Sequence, residues 1–363
     1  MVFYGVRLGT CIALELLCAM GAASGVWFVA ARGVDSARDV LGSHEAAAAT
    51  SGGARAVQPL PGAQLFVPAP PRDKTVFELD DDLLLEPLAA TPVTKLKLNH
   101  GGTSLSLRLD FASGARAAFK PEQTHPQSDP RREIAAYRID RLLGIGHVPP
   151  AKPAQFALAE LIAASEPMTR DFTAQRFAEE AIARNGVVHG EVSWWIPEIR
   201  DASIGVFRID EADGIAQWSQ YLQAGVPIPP ELKGLVTQIA TVIVFDVLID
   251  NADRWTGNNT KCTVDHKTLY FMDNTLAFSI FTLGHETNLT PLHRIQVFPR
   301  KLVARLRTLT FASITKAIEV DDPLAPLLTP AEVTAVLARR DHLLQYIDAL
   351  VAELGENAVL ALP

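Results

Sequence analysis

One long apolar segment that ends in acidic residues constrains the fold of this chain more than any other feature. The range Glu231–Ile249 ends in a run that is almost entirely apolar (LVTQIATVIVFDVLI), which predicts a buried helix. Asp253 follows a few positions later. A second, shorter apolar run, Leu269–Met272, leads directly into Asp273. Two carboxylates therefore follow apolar segments that are joined by a tight connection.

Carboxylates in this arrangement suit phosphoryl transfer. One carboxylate orients the attacking hydroxyl, and another holds the metal ion that screens the phosphates. Asn258 follows Asp253 by five positions, the spacing found between the catalytic aspartate and the metal-binding asparagine of protein kinases. The alternative is a solvated loop between a buried helix and a hairpin, because Asp and Asn are common turn residues.

Length and composition narrow the class of protein. A chain of 363 residues with 48% hydrophobic and 20% charged residues has the size of one large domain, or two small ones, with appendages. The formal net charge of −8 argues against nucleic acid as a partner, since a nucleic-acid binder needs a basic face. Cys11 and Cys18 lie in an apolar N-terminal run, so Cys262 has no partner for a disulfide within the folded part.

The N-terminal segment predicts a membrane anchor followed by a tether. Gly9–Ala31 is apolar over a length that can cross a bilayer core of about 30 Å, with Glu15 as the exception. We expect a signal anchor over residues 1–32, with the membrane as a partner; a cleaved signal peptide, which would release a secreted form, and a buried helix are the alternatives. Residues 33–74 are rich in Ala, Pro and Gly and predict a flexible linker. Residues 75–363 then form the folded domain.

The first half of that domain carries strand patterns. Alternation over Thr94–Leu98, Ser104–Leu109 and Ala115–Lys120 predicts an antiparallel meander that ends on a lysine. His100-Gly101-Gly102-Thr103, between the first two strands, is a loose match to a phosphate-covering turn. Glu133 begins an amphipathic helix that stops at Gly144.

Helices dominate the rest of the chain. Strands are predicted near Gln155–Leu161 and over Val187–Pro197, and a helix over Ile215–Leu222. Amphipathic helices follow over Val303–Leu354, one of them opened by a capping box at Thr329. A strand-rich half followed by a helix-rich half predicts an α+β domain of two lobes with a ligand cleft between them.

The chain resembles the secretory-pathway kinase family of the Golgi casein kinase and four-jointed, a group of atypical protein and sugar kinases. The resemblance covers roughly residues 95 to 350, and its motifs occur in the order of that family. The matching segments are FKP (Phe119–Pro121), EIAAYRIDRLLGIGHVPP (Glu133–Pro150), HGEVSWWIP (His189–Pro197), FDVLIDNADRW (Phe245–Trp255) and LYFMDNTLAF (Leu269–Phe278). The resemblance implies a two-lobed, kinase-like fold with an N-terminal sheet lobe.

The resemblance also assigns roles to single residues. Lys120 would contact the nucleotide phosphates, and Glu133 would bind metal or position that lysine. Asp253 would be the catalytic base toward the acceptor hydroxyl, and Asp273 would hold Mn²⁺ or Mg²⁺ beside ATP. Asn258 is assigned to the nucleotide site by its spacing rather than by the family. Asn274, beside Asp273, is expected to orient the metal-binding carboxylate.

These assignments predict an ATP-dependent, metal-dependent kinase that phosphorylates a hydroxyl of a protein Ser or Thr or of a glycan. The resemblance places the domain on the lumenal or extracytoplasmic side of a membrane. Two alternatives stay open: a phosphoinositide or other lipid kinase, favoured by the anchor, and a pseudokinase with a regulatory binding role. The sequence departs from the family pattern after Arg254, where Trp255-Thr256-Gly257 replaces histidines, and it lacks the disulfide cysteines of the animal proteins. The departures leave the acceptor and the compartment open.

Overall fold

A computed structural model describes residues 75–99, 104–256, 259–320 and 324–363. The predicted anchor and tether, the turn at 100–103 and Asn258 lie outside these ranges. The compact unit that contains the described ranges runs from Ala69 to Pro363. Within the described ranges, none of the helices is both long enough and apolar enough to cross a bilayer.

An antiparallel sheet forms the N-terminal lobe. Its strands lie in the order β1-β2-β3-β6-β4, and β5 pairs with β6. The apolar faces of these strands pack into one cluster with Leu109 and Phe119 fully buried, which is the alternation that the sequence predicts. The strands are β1 (Val93–Leu98), β2 (Leu107–Phe111), β3 (Arg116–Pro121), β4 (Ala151–Ala157), β5 (Ala183–Arg184) and β6 (Val187–Trp194).

Four helices accompany this sheet, and one of them differs from the sequence-based expectation. The segment predicted as a strand over Gln155–Leu161 leaves the sheet after Ala157 and continues as a helix, because five of the six residues of LAELIA (Ala, Leu and Glu) are strong helix formers. The second helix starts at Pro130, with Asp129 as its N-cap, and carries Glu133 in its first turn. The helices are α1 (Asp81–Leu85), α2 (Pro130–Leu142), α3 (Leu158–Ala163) and α4 (Arg170–Glu180).

Helices make up most of the C-terminal lobe, around a buried central helix. That helix, α6, buries twelve of its seventeen residues, as the apolar run predicts. The predicted capping box at Thr329 is present, with Thr329 and Glu332 bonded reciprocally. The helices are α5 (Ala212–Tyr221), α6 (Lys233–Ile249), α7 (Glu286–Leu292), α8 (Arg300–Thr308), α9 (Phe311–Ala317), α10 (Pro330–Leu354) and α11 (Glu356–Val359).

Short strands in the C-terminal lobe position the loops of the site. β10 pairs with both β11 and β7, and β8 pairs with β9 in a separate hairpin. The run Leu269–Met272 is strand only over its first two residues, after which the backbone turns toward Asp273. The strands are β7 (Arg200–Asp201), β8 (Ser203–Ile204), β9 (Phe207–Arg208), β10 (Lys261–Cys262) and β11 (Leu269–Tyr270).

Helix α2 connects the two lobes. Its apolar side chains Ile134, Ile139 and Leu143 belong to the same buried cluster as α6, while its length also lies against β4 and β6. Glu133 is therefore held at the junction of the lobes, next to the end of β3 that carries Lys120.

Candidate functional site

Lys120 lies at the centre of the site. Its ammonium group, at the end of β3, donates hydrogen bonds to Glu133 Oε1 at 2.5 Å and to Asp273 Oδ1 at 2.8 Å. Glu133 comes from α2 and Asp273 from the loop after β11, so three elements of both lobes meet at one amine. The structure thus brings together three of the residues that the sequence analysis assigned to the nucleotide and the metal.

The ion pair between Lys120 and Asp273 shifts the pKa values of both groups. Burial alone would lower the pKa of Lys120, but the Asp273 and Glu133 carboxylates outweigh it and raise that pKa well above its usual value. The same contact, with Lys120 as its main cause, holds the pKa of Asp273 below its usual range. The side chain of Asp273 is 44% exposed, compared with 14% for Lys120, so its carboxylate faces the cleft while the lysine lies beneath it.

Glu191 is a site residue that the sequence analysis missed. It lies on β6, directly opposite Lys120 on β3, and is 1% exposed. Burial and then the nearby Glu133 carboxylate raise the pKa of Glu191 well above its usual value. Its Oε2 atom has no hydrogen-bond partner among the described residues. The available signal was the single acidic residue of the predicted strand Val187–Pro197, but the pairing of β3 with β6 could not be read from the sequence.

Asp253 lies in the loop after α6, which Asn251 ties to Asp273. The amide Nδ2 of Asn251 donates to the Asp273 carbonyl at 3.0 Å, and its Oδ1 accepts from the Asp253 N–H at 3.3 Å. The nearest partner of the Asp253 carboxylate is Asn259 Nδ2, at 2.6 Å from Oδ2. The amide that orients Asp253 is therefore contributed by Asn259. Asn258, which the spacing assigned to the nucleotide site, lies outside the described residues.

Arg254 fixes the backbone around this loop. Its guanidinium is 1% exposed, pairs with Asp246 of α6 at 3.2 Å and donates to Asn274 Oδ1 at 2.8 Å and to the Met272 carbonyl. Asn274 in turn donates from Nδ2 to Glu133 Oε2 at 3.1 Å. Asn274 therefore bonds to Glu133 through its side chain, and the loop that carries Asp273 is linked both to α6 and to α2.

Hydrogen bonds made by Asp250 and Arg339 hold the segment of the chain that follows Asp273. Asp250 ends α6 in the left-handed conformation (φ 58°), and its fully buried carboxylate accepts from the His285 N–H at 2.7 Å and from Asn288 Nδ2 at 3.0 Å. Arg339 of α10 donates to the carbonyls of Leu248 at 2.9 Å and Phe281 at 2.7 Å. The loop after Asp273 is thus held from two sides.

The donor set fits a divalent cation that is shared with phosphate groups. Two carboxylates, from Glu133 and Asp273, contact the Lys120 ammonium group, and Glu191 lies opposite Lys120 on the neighbouring strand. Among the described residues, Glu191 Oε2 has no hydrogen-bond partner. In the described part of the chain, no three acidic, His or Cys side chains are grouped closely enough to hold a metal ion alone. Oxygen ligands that leave coordination positions for phosphate are the usual environment of Mg²⁺ and Mn²⁺.

Comparisons with known proteins agree with this geometry. Residues 229–359 match the family model described as "Golgi casein kinase, C-terminal, Fam20". The chain is 24% identical over 321 residues to the glycosaminoglycan xylosylkinase of Danio rerio, covering 76% of both chains. It is 22% identical over 327 residues to the extracellular serine/threonine protein kinase FAM20C of Homo sapiens, covering 77% of this chain and 56% of that one.

Solved structures show the same fold. The Golgi casein kinase with Mn and ADP bound superposes with a TM-score of 0.60 at 18% identity, covering 77% of this chain and 78% of that one. Hydra Fam20 with sugar gives a TM-score of 0.59 at 21% identity, covering 76% of this chain and 90% of that one. The two lobes are therefore those of a kinase-like fold, and residues 229–359 are similar to the C-terminal domain of the Fam20 family of the Golgi casein kinase.

Proposed function

We propose that this chain transfers the γ-phosphoryl group of ATP to an alcohol, on a protein Ser or Thr or on a glycan. The observation that carries the proposal is the bridging of Glu133 and Asp273 by the Lys120 ammonium group, at the junction of the lobes. Relatives named as a xylosylkinase and as a serine/threonine kinase support both classes of acceptor. The neighbour with Mn and ADP supports the choice of cofactors.

In this proposal, Lys120 donates to the phosphates of the nucleotide, and Glu133 keeps the amine in place. Asp273 and Glu133 would hold Mn²⁺ or Mg²⁺, which would neutralise charge on the phosphates. Asp253 accepts the proton of the acceptor hydroxyl, while Asn259 fixes the orientation of its carboxylate. The acceptor oxygen forms a bond to the γ-phosphorus, the bond to the β–γ bridging oxygen breaks, and ADP leaves.

Transfer of labelled phosphate from ATP to protein and glycoside acceptors, with Mn²⁺ or Mg²⁺, tests the proposal. Asp253→Ala should lower kcat by about a hundredfold or more, because it removes the proton acceptor. Asp273→Ala should abolish the metal-dependent reaction. Asp265→Ala, which removes an exposed carboxylate in the β10–β11 turn, is the matched control and should keep full activity. Wild-type activity in Asp273→Ala would refute the metal assignment.

We also propose that the domain works on the lumenal or extracytoplasmic side of a membrane, tethered through its N-terminal segment. The relative named as an extracellular kinase supports this placement, and the apolar run Gly9–Ala31 would supply the membrane anchor. Protease digestion of sealed vesicles that carry the full chain tests it. The domain should be protected until detergent opens the vesicles, and digestion without detergent would place it on the other side.

A further inference from the structure

A segment near the N-terminal end of the domain packs against both lobes. Residues 75–88, which we call the strap, contain α1 and follow the predicted linker. Leu88 is buried in the core of the N-terminal lobe, and Leu85 packs against that core and against the core around α6. Phe77 and Leu84 form a separate buried cluster with Ile196. The strap is therefore in contact with the packed interior of both lobes.

One contact of the strap reaches the segment that leads to Asp273. The ring of Phe77 is 6% exposed and packs on Trp194 of β6 and Tyr270 of β11, with ring centroids 5.7 Å and 5.8 Å away. The Tyr270 ring is stacked on Phe77, while the Trp194 ring meets it edge to face, and both are favourable ring geometries. Met272, directly before Asp273, packs against the same cluster. Phe77 thus joins a strand of the sheet to the segment that carries Asp273.

A second contact of the strap reaches the helix that carries Glu133. Asp81, the first residue of α1, accepts hydrogen bonds from the Tyr137 hydroxyl at 3.0 Å and from Arg141 Nε at 2.7 Å. Tyr137 and Arg141 lie one and two turns beyond Glu133, so the three side chains lie toward one side of α2. Asp81 therefore fixes the position of the helix whose first turn presents Glu133 to Lys120.

The ion pair between Asp81 and Arg141 is shielded from solvent but is not needed to neutralise the arginine. The two side chains are only 14% and 18% exposed, so the pair contributes more than one on an open surface. Arg141 has two further partners, the Asp140 carboxylate and the Val148 carbonyl. Loss of the Asp81 carboxylate would therefore leave Arg141 paired and the fold intact, while α2 would lose its bonds to the strap.

We propose that Phe77 and Asp81 are positioning residues of the transfer reaction, and that they act through Asp273 and Glu133. The proposal rests on the proposed kinase function, because it concerns the geometry of the same site. The strap holds α2 and the segment after β11 where the Lys120 ammonium group bonds to both carboxylates. Asp253 is held separately, by bonds to Asn251 and Asn259, so affinity for the acceptor should not depend on the strap.

Calorimetric titration of ADP into the full-length protein with Mn²⁺ tests the role of Asp81. Asp81→Ala should raise Kd for ADP about tenfold, because a small displacement of a binding group is costly. Asp81→Asn, which keeps an acceptor oxygen for Tyr137 and Arg141, should recover most of that loss. Asp80→Ala removes an exposed carboxylate that makes no capping bond, and this matched control should bind ADP as wild type does. An unchanged Kd in Asp81→Ala would overturn the proposal for Asp81.

Phe77→Leu provides a second test through the other contact. Leucine keeps an apolar side chain in the cluster but removes the stacking on Tyr270, so Kd for ADP should again rise severalfold. Leu83→Ala, which removes a side chain that is 59% exposed on α1, is the control within the strap and should leave Kd unchanged. Equal affinities in Phe77→Leu and Leu83→Ala would overturn the proposal for Phe77.

Transfer kinetics in Asp81→Ala distinguish positioning from a general loss of folded protein. With Mn²⁺, ATP and a serine peptide or glycoside, kcat should fall and KM for ATP should rise, each about tenfold, while KM for the acceptor stays the same. A smaller fraction of folded protein would lower kcat alone, and that result would overturn the positioning role.

The same measurements separate this proposal from the proposed function. A wild-type protein that binds ADP with Mn²⁺ but transfers no phosphate would overturn the kinase function, and Kd in the variants would still decide whether the strap positions Glu133 and Asp273. A wild-type protein that binds no ADP would overturn both. Normal transfer in Asp81→Ala and Phe77→Leu would overturn the positioning role alone.

Discussion

Single residues of the site show why spacing along the chain is an incomplete guide. Lys120, Glu133 and Asp273 were identified from their order and from the family they resemble, and the structure brings their side chains together. Glu191 was missed because its role depends on strand pairing. Asn259 bonds to the Asp253 carboxylate because the loop geometry brings it there, a contact that the sequence did not predict.

Glu191→Gln should separate stability from metal-dependent binding. A buried carboxylate without a full set of partners costs free energy, so the amide should leave the unfolding midpoint of the ligand-free protein unchanged or higher. The rise in midpoint caused by Mn²⁺ with ADP should become smaller, since one negative charge beside the cation is lost. Thermal unfolding of both proteins measures this, and an equal rise in both would show that Glu191 takes no part.

Asp246 should make stability depend on pH in the acidic range. Burial raises the pKa of Asp246 to about 6 in the folded protein, against an unfolded value of 3.8. The folded state therefore holds this proton more tightly, and the contribution of Asp246 to stability declines as pH rises from about 4 to about 6. The shift corresponds to a decline of about 3 kcal/mol.

Denaturant unfolding of wild type and Asp246→Asn between pH 4 and pH 7 measures that contribution. The free energy of unfolding of wild type, minus that of the variant, should decrease up to about pH 6 and then level off. If the difference instead rises with pH, the pKa of Asp246 in the folded protein lies below its unfolded value, because Arg254 stabilises the ionised carboxylate.

At the scale of elements, the site depends on how the loops after α6 and β11 are held together. Asn251 and Arg254, in the loop after α6, bond to Asp273 and Asn274 in the loop after β11. Farther along that second loop, His285 bonds to Asp250 and Phe281 bonds to Arg339. Gly284 lies between the side chains of Asp250 and Arg339. A Cβ atom there would stand 2.9 Å from Asp250 Oδ1 and 3.2 Å from Arg339 Cδ, which leaves no space for a side chain.

Gly284→Ala should therefore destabilise the protein more than backbone strain alone explains. Gly225 offers a matched control, because its φ of 79° is close to the 82° of Gly284 while a Cβ there would meet no atom within 4 Å. At either position, alanine has to adopt a left-handed conformation, which costs about 1 kcal/mol. We expect Gly284→Ala to cost about 1–3 kcal/mol more than Gly225→Ala, as with other overpacked sites. If denaturant unfolding shows equal losses of unfolding free energy in the two variants, the packing of Asp250 and Arg339 around Gly284 does not limit the side chain at that position.

At the scale of the whole molecule, the site joins two lobes with separate cores. The sheet packs its apolar face within the N-terminal lobe, while α2 packs with the core around α6. Lys120 and Glu191 come from the sheet, and Asp273 comes from the C-terminal lobe. A ligand that contacts all three therefore stabilises the arrangement of the lobes as well as each lobe.

ADP with Mn²⁺ should raise the unfolding midpoint of the full chain and of a protein that begins at Ala69 by the same amount, because the compact unit that holds the site starts there. Ligand at about a hundred times its dissociation constant adds about 2.7 kcal/mol. Thermal unfolding with Asp273→Ala as the control measures the effect. A rise confined to the full chain would show that residues before Ala69 contribute to the site.

The sequence by itself predicted the two-lobed α+β architecture and the buried helix α6, because apolar periodicity is a local property of the chain. The resemblance to a kinase family is what singled out Lys120, Glu133 and Asp273. The tertiary structure alone decided which groups face one another. Strand pairing placed Glu191 opposite Lys120, and the left-handed turn at Asp250 directed its carboxylate to Ser279, His285 and Asn288. Such contacts join residues up to 153 positions apart, and only packing in three dimensions selects them.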